Sequence, residues 1–199
     1  MKLLMSPASP FVRKVRVMIH EANLNDTVTE VEVTTNAFAS DPAVIAANPA
    51  GKIPTLIRSD GPALCDSRVI TRFLDHHASA GLYPDTRIWE VLTLESLADA
   101  IMDAAVSMTY EVRLRPEEKQ FDDWIDAQWD KIARTVGTIN DRWVSHLSGP
   151  IDMSHIAVGC ALGYLDLRHD ARDWRRDNAT LAAWFAGFSA RDSMIATKA

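Results

Sequence analysis

Two short polar stretches and one proline carry the chemistry this sequence can offer. Ser9 stands in Ser6-Pro7-Ala8-Ser9-Pro10, which reads as a helix N-cap followed by proline at the first helical position. As a cap, Ser9 accepts a backbone N–H. A hydroxyl at a helix N-terminus can also donate to a thiolate, and the helix dipole adds positive potential there. A free thiol ionises near a pKa of about 8.5, so such help raises the thiolate fraction near neutrality. The serine itself ionises too weakly to act unaided as a nucleophile. No Ser-His-Asp spacing points to a hydrolase. Ser6 is a second, weaker hydroxyl in the same turn.

Asn48-Pro49-Ala50-Gly51-Lys52-Ile53-Pro54-Thr55-Leu56 joins a turn to a short strand through a proline. Proline removes a ladder donor, so it belongs at a strand start or a sheet edge. The backbone groups of Ile53 are then left to pair with an extended peptide by strand addition. Pro54 taken alone reads as trans, as most X-Pro bonds are; its place at a strand edge after a turn shifts the balance toward cis. Asp66-Ser67 follows ten residues later. The plain reading is a cap, with Ser67 starting a helix. A helix N-terminus with a serine hydroxyl also binds a carboxylate, and a neighbouring aspartate holds an ammonium. Together they fit an α-amino-acid head group. Lys52 offers a cation for a second carboxylate, or is simply solvated.

These groups sit in a chain of 199 residues with 47% hydrophobic and 24% charged side chains, ordinary for a globular protein of one or two domains. Lys and Arg number 21 against 27 Asp and Glu, so the net charge of −6 gives no electrostatic footprint for nucleic acid. Arginines gather at 13–16 and 168–176, the latter interrupted by acids as on a solvated helix face. No apolar run is long enough to span a bilayer, and Met1–Met5 is too short for a signal peptide. Cys65 and Cys160 lie far apart and form no Cys-x-x-Cys pair, which fits a reducing cytosol. The six histidines show no metal-ligand spacing, and no metal is expected.

The elements that must position the polar groups alternate in the first eighty residues. Apolar runs and turn signals predict strands at 2–5, 27–33, 55–57 and 63–65 and helices at 10–22, 42–47 and from 67, a βαβαββα order. Residues 79–84 read as a linker, which sets domains at 1–78 and 85–199. Long helices follow: 86–114, one from Pro116 to about Leu147, 153–167 apolar on nearly all sides, and 180–190. Met102, Val106, Met108 and Tyr110 lie on the first of these, and read as core or as the wall of an apolar site. Trp124, Trp129, Trp143, Trp174 and Trp184 read as core or packing residues.

The stretches 6–15, 48–56 and 66–70, with 161–168 and 181–191 near the other end, resemble the bacterial cytosolic glutathione S-transferases over essentially the whole chain. The resemblance implies a thioredoxin-like α/β N-terminal domain followed by an all-α C-terminal domain. It implies glutathione as co-substrate, a small apolar electrophile bound between the domains, and a homodimer. Ser9 stands at the thiol-activating position. Ile53, before a cis-Pro54, would pair with the cysteinyl part of glutathione. Asp66 and Ser67 would hold the γ-glutamyl end, and Lys52 a carboxylate. Serine rather than cysteine at position 9 disfavours thiol-disulfide exchange. The resemblance leaves open a binding or regulatory protein without turnover, and a glutathione-dependent isomerase or dehalogenase. One departure concerns stability: the family's Ser/Thr-x-x-Asp capping box reads here Asp152-Met153-Ser154-His155, with histidine in place of the acid that reaches back.

Overall fold

The computed structural model describes all 199 residues, Met1–Ala199. They divide into two compact units, Met1–Pro84 with Arg191–Ala199, and Asp85–Ala190. The last nine residues therefore belong to the first unit.

The first unit is built on four strands, β1 (Lys2–Met5), β2 (Thr29–Glu32), β3 (Thr55–Ile57) and β4 (Leu64–Cys65), in the order β2-β1-β3-β4. β2 runs parallel to β1; β3 and β4 are antiparallel to their neighbours. Helices α1 (Pro10–Glu21), α2 (Pro42–Ala47) and α3 (Ser67–Ala78) complete the expected βαβαββα order. Alternation along β1 sends Leu4 to one face, where it packs with Val33 and with Val44 of α2. Leu3 and Leu56 are paired and fully buried on the opposite face. There α1 and α3 pack together through Val12, Val15, Ile70 and Leu74, all without exposed surface.

The second unit is helical: α4 (Ile88–Leu114), α5 (Asp122–Arg142), α6 (Val144–Leu147), α7 (Met153–Arg168) and α8 (Ala179–Phe188). α7 is buried on nearly all sides and packs on α4, which also packs on α5. The long helix expected from Pro116 to Leu147 is divided. Glu117–Lys119 is a 3-10 turn, α5 begins only at Asp122, and Trp143 separates α5 from α6. A helix not anticipated, α9 (Asp192–Ala196), closes the described chain on the first unit. No helix is long and apolar enough to cross a membrane.

Candidate glutathione site

Strand directions bring the three polar stretches to one end of the sheet. Leu4 pairs with Thr55, and Thr55 with Cys65. The turn after β1, the residues before β3 and those after β4 therefore emerge side by side. Ser9, Ile53-Pro54 and Asp66-Ser67 stand on those three segments, from adjacent strands.

Ser9 caps α1, and its Oγ accepts the Val12 N–H at 3.3 Å. This bond uses a lone pair and leaves the hydroxyl hydrogen able to donate, so the capping and thiolate-donor readings coexist. The side chain is only half-buried and sits at the positive end of the helix.

The second stretch is a locked turn. Asn48 is buried; its Nδ2 donates to the Lys52 carbonyl at 2.9 Å, and its Oδ1 accepts from Ala50 N–H at 3.0 Å. The Thr55 hydroxyl donates to the same Lys52 carbonyl at 2.9 Å. Gly51 has φ +64°, and an added Cβ would meet Ser40 Oγ at 2.4 Å, so only glycine fits. Ile53-Pro54 is cis. Neither the N–H nor the C=O of Ile53 takes part in the main-chain hydrogen bonds of turns and loops, and the residue lies outside β3. Both groups are left without a main-chain partner. Lys52 is exposed, and its ammonium enters none of the described ion pairs.

At the third stretch the structure corrects the expected cap. Asp66, not Ser67, is the N-cap of α3, held at φ 74° with its Oδ1 accepting Arg68 N–H at 2.9 Å. Ser67 is the first helical residue and is buried, with no described hydrogen bond to its hydroxyl. Asp66 stays exposed. Partial burial pushes its carboxyl up, but hydrogen bonds from the Arg68 side chain and N–H outweigh that and bring it below the usual range. Arg68 Nε lies 3.3 Å from Oδ1. Asp66 is thus a carboxylate at neutral pH, suited to an ammonium. The spacing of Asp66 and Arg68 could have signalled this ion pair; the fully buried Lys14 of α1, whose charge also acts on Asp66, had no local signal.

In the second unit Met102 and Met108 are buried, Val106 half-buried and Tyr110 exposed. The two methionines are therefore core. Of the five tryptophans read as packing residues, only Trp174 is buried.

The capping box of α7 forms despite the histidine. Asp152 is the N-cap, accepting Ser154 N–H at 3.0 Å, and its own N–H points to His155 Nδ1 at 3.3 Å. His146 joins them, Nε2 to Asp152 Oδ2 at 3.0 Å, so that one ligand atom from each of His146, Asp152 and His155 falls within 4.8 Å. Sequence spacing missed this cluster because a turn, not a helix, brings His146 round. Its donors resemble a metal set, yet Arg87 Nη2 stands 3.2 Å from Asp152 Oδ2 and supplies the compensating charge itself. The cluster forms the cap of α7. Burial raises the Asp152 carboxyl most, but the His155 and Ser154 hydrogen bonds and both histidines prevail, holding it at about 2.

Comparison with known proteins agrees with the fold of the two units. Residues 8–77 match the model "Glutathione S-transferase, N-terminal domain", and residues 122–187 the C-terminal domain of the same family. The chain belongs to the glutathione S-transferase family. Among solved structures, this family member resembles a glutathione transferase family member from Pseudomonas fluorescens Pf-5 crystallised with bound glutathione. The two are 42% identical, with a TM-score of 0.96 over 99% of this chain and 98% of that one. A glutathione S-transferase from Methylobacillus flagellatus KT, also with glutathione bound, is 37% identical, with a TM-score of 0.84 over 99% and 98%. The GST-like protein YibF of Escherichia coli K12 is 29% identical over 100% of this chain and 98% of its own length.

Proposed function

We propose that this protein is a glutathione transferase that joins the glutathione sulfur to a small apolar electrophile. One observation carries the reading: three adjacent segments at one sheet end present the Ser9 hydroxyl, the unpaired Ile53 main chain, and Asp66-Ser67, where the aspartate is exposed although paired with Arg68, in the order an extended γ-glutamyl tripeptide would need. Asp66 takes the γ-glutamyl ammonium and Ser67 its carboxylate. The Ile53 main chain pairs with the cysteinyl residue, and Lys52 faces the remaining carboxylate. This lays the thiol toward Ser9.

The thiol loses its proton to solvent. The Ser9 hydroxyl donates to the thiolate and stabilises it, without becoming covalently involved. Sulfur then attacks the electrophilic carbon. An S–C bond forms as the leaving group departs with its electron pair, or, for an activated alkene, as the carbanion takes a proton. Holding both reactants together supplies most of the remaining acceleration. The Pseudomonas relative has also been crystallised with S-(propanoic acid)-glutathione, at 41% identity to this chain. That supports tolerance of an S-alkylated tripeptide and adds carboxyalkyl electrophiles to the candidates. We read the protein as a homodimer acting in a reducing cytosol, in keeping with two free thiols.

The test is calorimetry with glutathione, then turnover with 1-chloro-2,4-dinitrobenzene and acrylate on wild type and Ser9→Ala. Micromolar to millimolar binding and a Ser9-dependent rate are expected. No binding at millimolar glutathione sinks the reading; binding without turnover of any electrophile leaves a glutathione-binding regulator. Light scattering that gave a monomer would remove the homodimer.

A further inference from the structure

The arginines at 13–16 have no part in the chemistry above, yet they are the point where the last nine residues meet the helix that carries Ser9. Arg13 lies one turn past Ser9, and its N–H donates to the Ser9 carbonyl at 3.0 Å. Its side chain reaches the other way. Nη2 donates to the Met194 carbonyl at 3.0 Å, and Nε to the Thr197 hydroxyl at 3.5 Å. Arg16 Nη1 donates to the Thr197 carbonyl at 3.4 Å while its Nε pairs with Glu30 of β2 at 2.7 Å.

At the far end of α1 the segment is fastened again. Arg191 grips both oxygens of Glu21 at 2.8 Å each, and the Ser193 hydroxyl donates to the same carboxylate at 2.5 Å. The Arg191 guanidinium holds the Glu21 carboxyl below its ordinary range. Ser193, Met194 and Thr197 are all buried against the unit, while the Arg191–Glu21 pair lies at its surface. Bidentate guanidinium–carboxylate pairing fixes direction as well as distance. Arg191–Ala199 therefore runs along α1 as a clasp, tied at Glu21 and at Arg13.

The first turn of a helix is its loosest part, because its N–H groups lack partners within the helix. Ser9 sits there, and the work assigned to it needs its hydroxyl held within a few tenths of an ångström of one place. A tie one turn away is well placed to supply that order. We infer that Arg13 is a positioning residue: clamped by the 191–199 segment, it fixes the first turn of α1 and thereby aims the Ser9 hydroxyl. The thiolate role of Ser9 that this serves rests on the proposed function.

The experiment compares wild type, Arg13→Gln, Ser9→Ala and the double variant, with Arg191→Met as a clasp variant that leaves Arg13 in place. Amide exchange of the unliganded proteins reports the clasp directly. Arg13→Gln, and more weakly Arg191→Met, are expected to speed exchange at the Val12 and Arg13 amides several-fold while α3 is unchanged. Uniform or absent acceleration overturns the inference, whatever the protein binds. In turnover, Arg13→Gln is expected to lower kcat/KM with glutathione about fivefold and to move the acidic limb of the pH profile upward. The KM for glutathione should shift less than twofold, and the Arg13 effect should vanish in the Ser9→Ala background. An equal Arg13 effect with and without Ser9 means a structural role only and overturns it. Wild type that binds no glutathione, with the Val12 exchange effect intact, instead removes the proposed function and keeps the clasp.

Discussion

The N-termini of α3 and α7 use the same chemistry to different ends. Each has an aspartate as N-cap and a serine close by. At α7, Asp152 is wholly buried and is met by Ser154, His155, His146 and Arg87. At α3, Asp66 is half exposed and is met by Arg68 and by the charge of Lys14, while the hydroxyl of Ser67 has no described partner. At α7 the cap aspartate is enclosed by its own chain, although His155 Nε2 is left unpaired, and the end is a structural cap. A helix end left with open donors and acceptors can take a ligand, which is the role proposed for α3. The same contrast explains the histidine at position 155. Where the cap itself is the acid, an acid at the third helical position would bury two like charges; an imidazole accepts the backbone N–H and, when protonated, donates to Asp152. The capping box is kept with its polarity exchanged.

The contrast is most severely tested at Asp152. Asp152→Ala leaves Arg87 and two histidines around a buried void of charge, and is expected to cost about 3–5 kcal/mol in urea unfolding. Glutathione affinity of the folded fraction should stay within about twofold; its loss would break the distinction. His155→Asp is expected to destabilise as well, and Asp152→Ser in the same chain to recover most of the loss. The linked pH effect has a definite sign. The Asp152 carboxyl is lowered from 3.8 to about 2 by folding, so its contribution is complete above 3.8 and is lost as pH falls toward 2. Acid titration of the unfolding free energy should show roughly 2 kcal/mol disappearing in that window, and Asp152→Asn should flatten it.

Smaller effects belong to the groups at the end of the sheet. Ser9→Ala should lower kcat/KM roughly 10- to 100-fold, as for loss of a hydrogen bond to an anion, and remove about 1 kcal/mol of stability as a lost cap. Ser9→Thr should keep most of both. Asp66→Asn should weaken glutathione binding about tenfold by calorimetry, with little change in melting temperature, since Arg68 N–H still finds an amide oxygen. Lys52→Ala should change affinity less than about threefold, the value of an exposed charge in water. A larger loss at Lys52 than at Asp66 would invert the division of labour between the two ends of the tripeptide.

Much of this was legible along the chain, because the decisive signals are local. Ser9-Pro10 forces a capped helix start, and Gly51 with Pro54 forces a turn into a strand. Alternating short strands and helices up to Ala78 fix the order of the first unit. What was misread was also local in kind: Asp66 and Ser67 are both capping residues, and the bond from Arg68 N–H to Asp66 Oδ1 decides between them. Pro116-Glu117-Glu118 looks like a helix opening, but Gln120 Nε2 satisfies the Val112 and Arg115 carbonyls and the chain turns before α5 starts.

The sequence by itself determined the elements and the types of group available for binding, since caps, turns and hydrophobic periods act within a few residues of one another. Tertiary structure decided which of those groups remain unused. Strand directions put Ser9, Ile53 and Asp66 at one sheet end, the turn after α6 carried His146 onto Asp152, and the 191–199 segment came back across 170 residues to Glu21. Those outcomes depend on pairing between distant parts of the chain, whose partners no local pattern names.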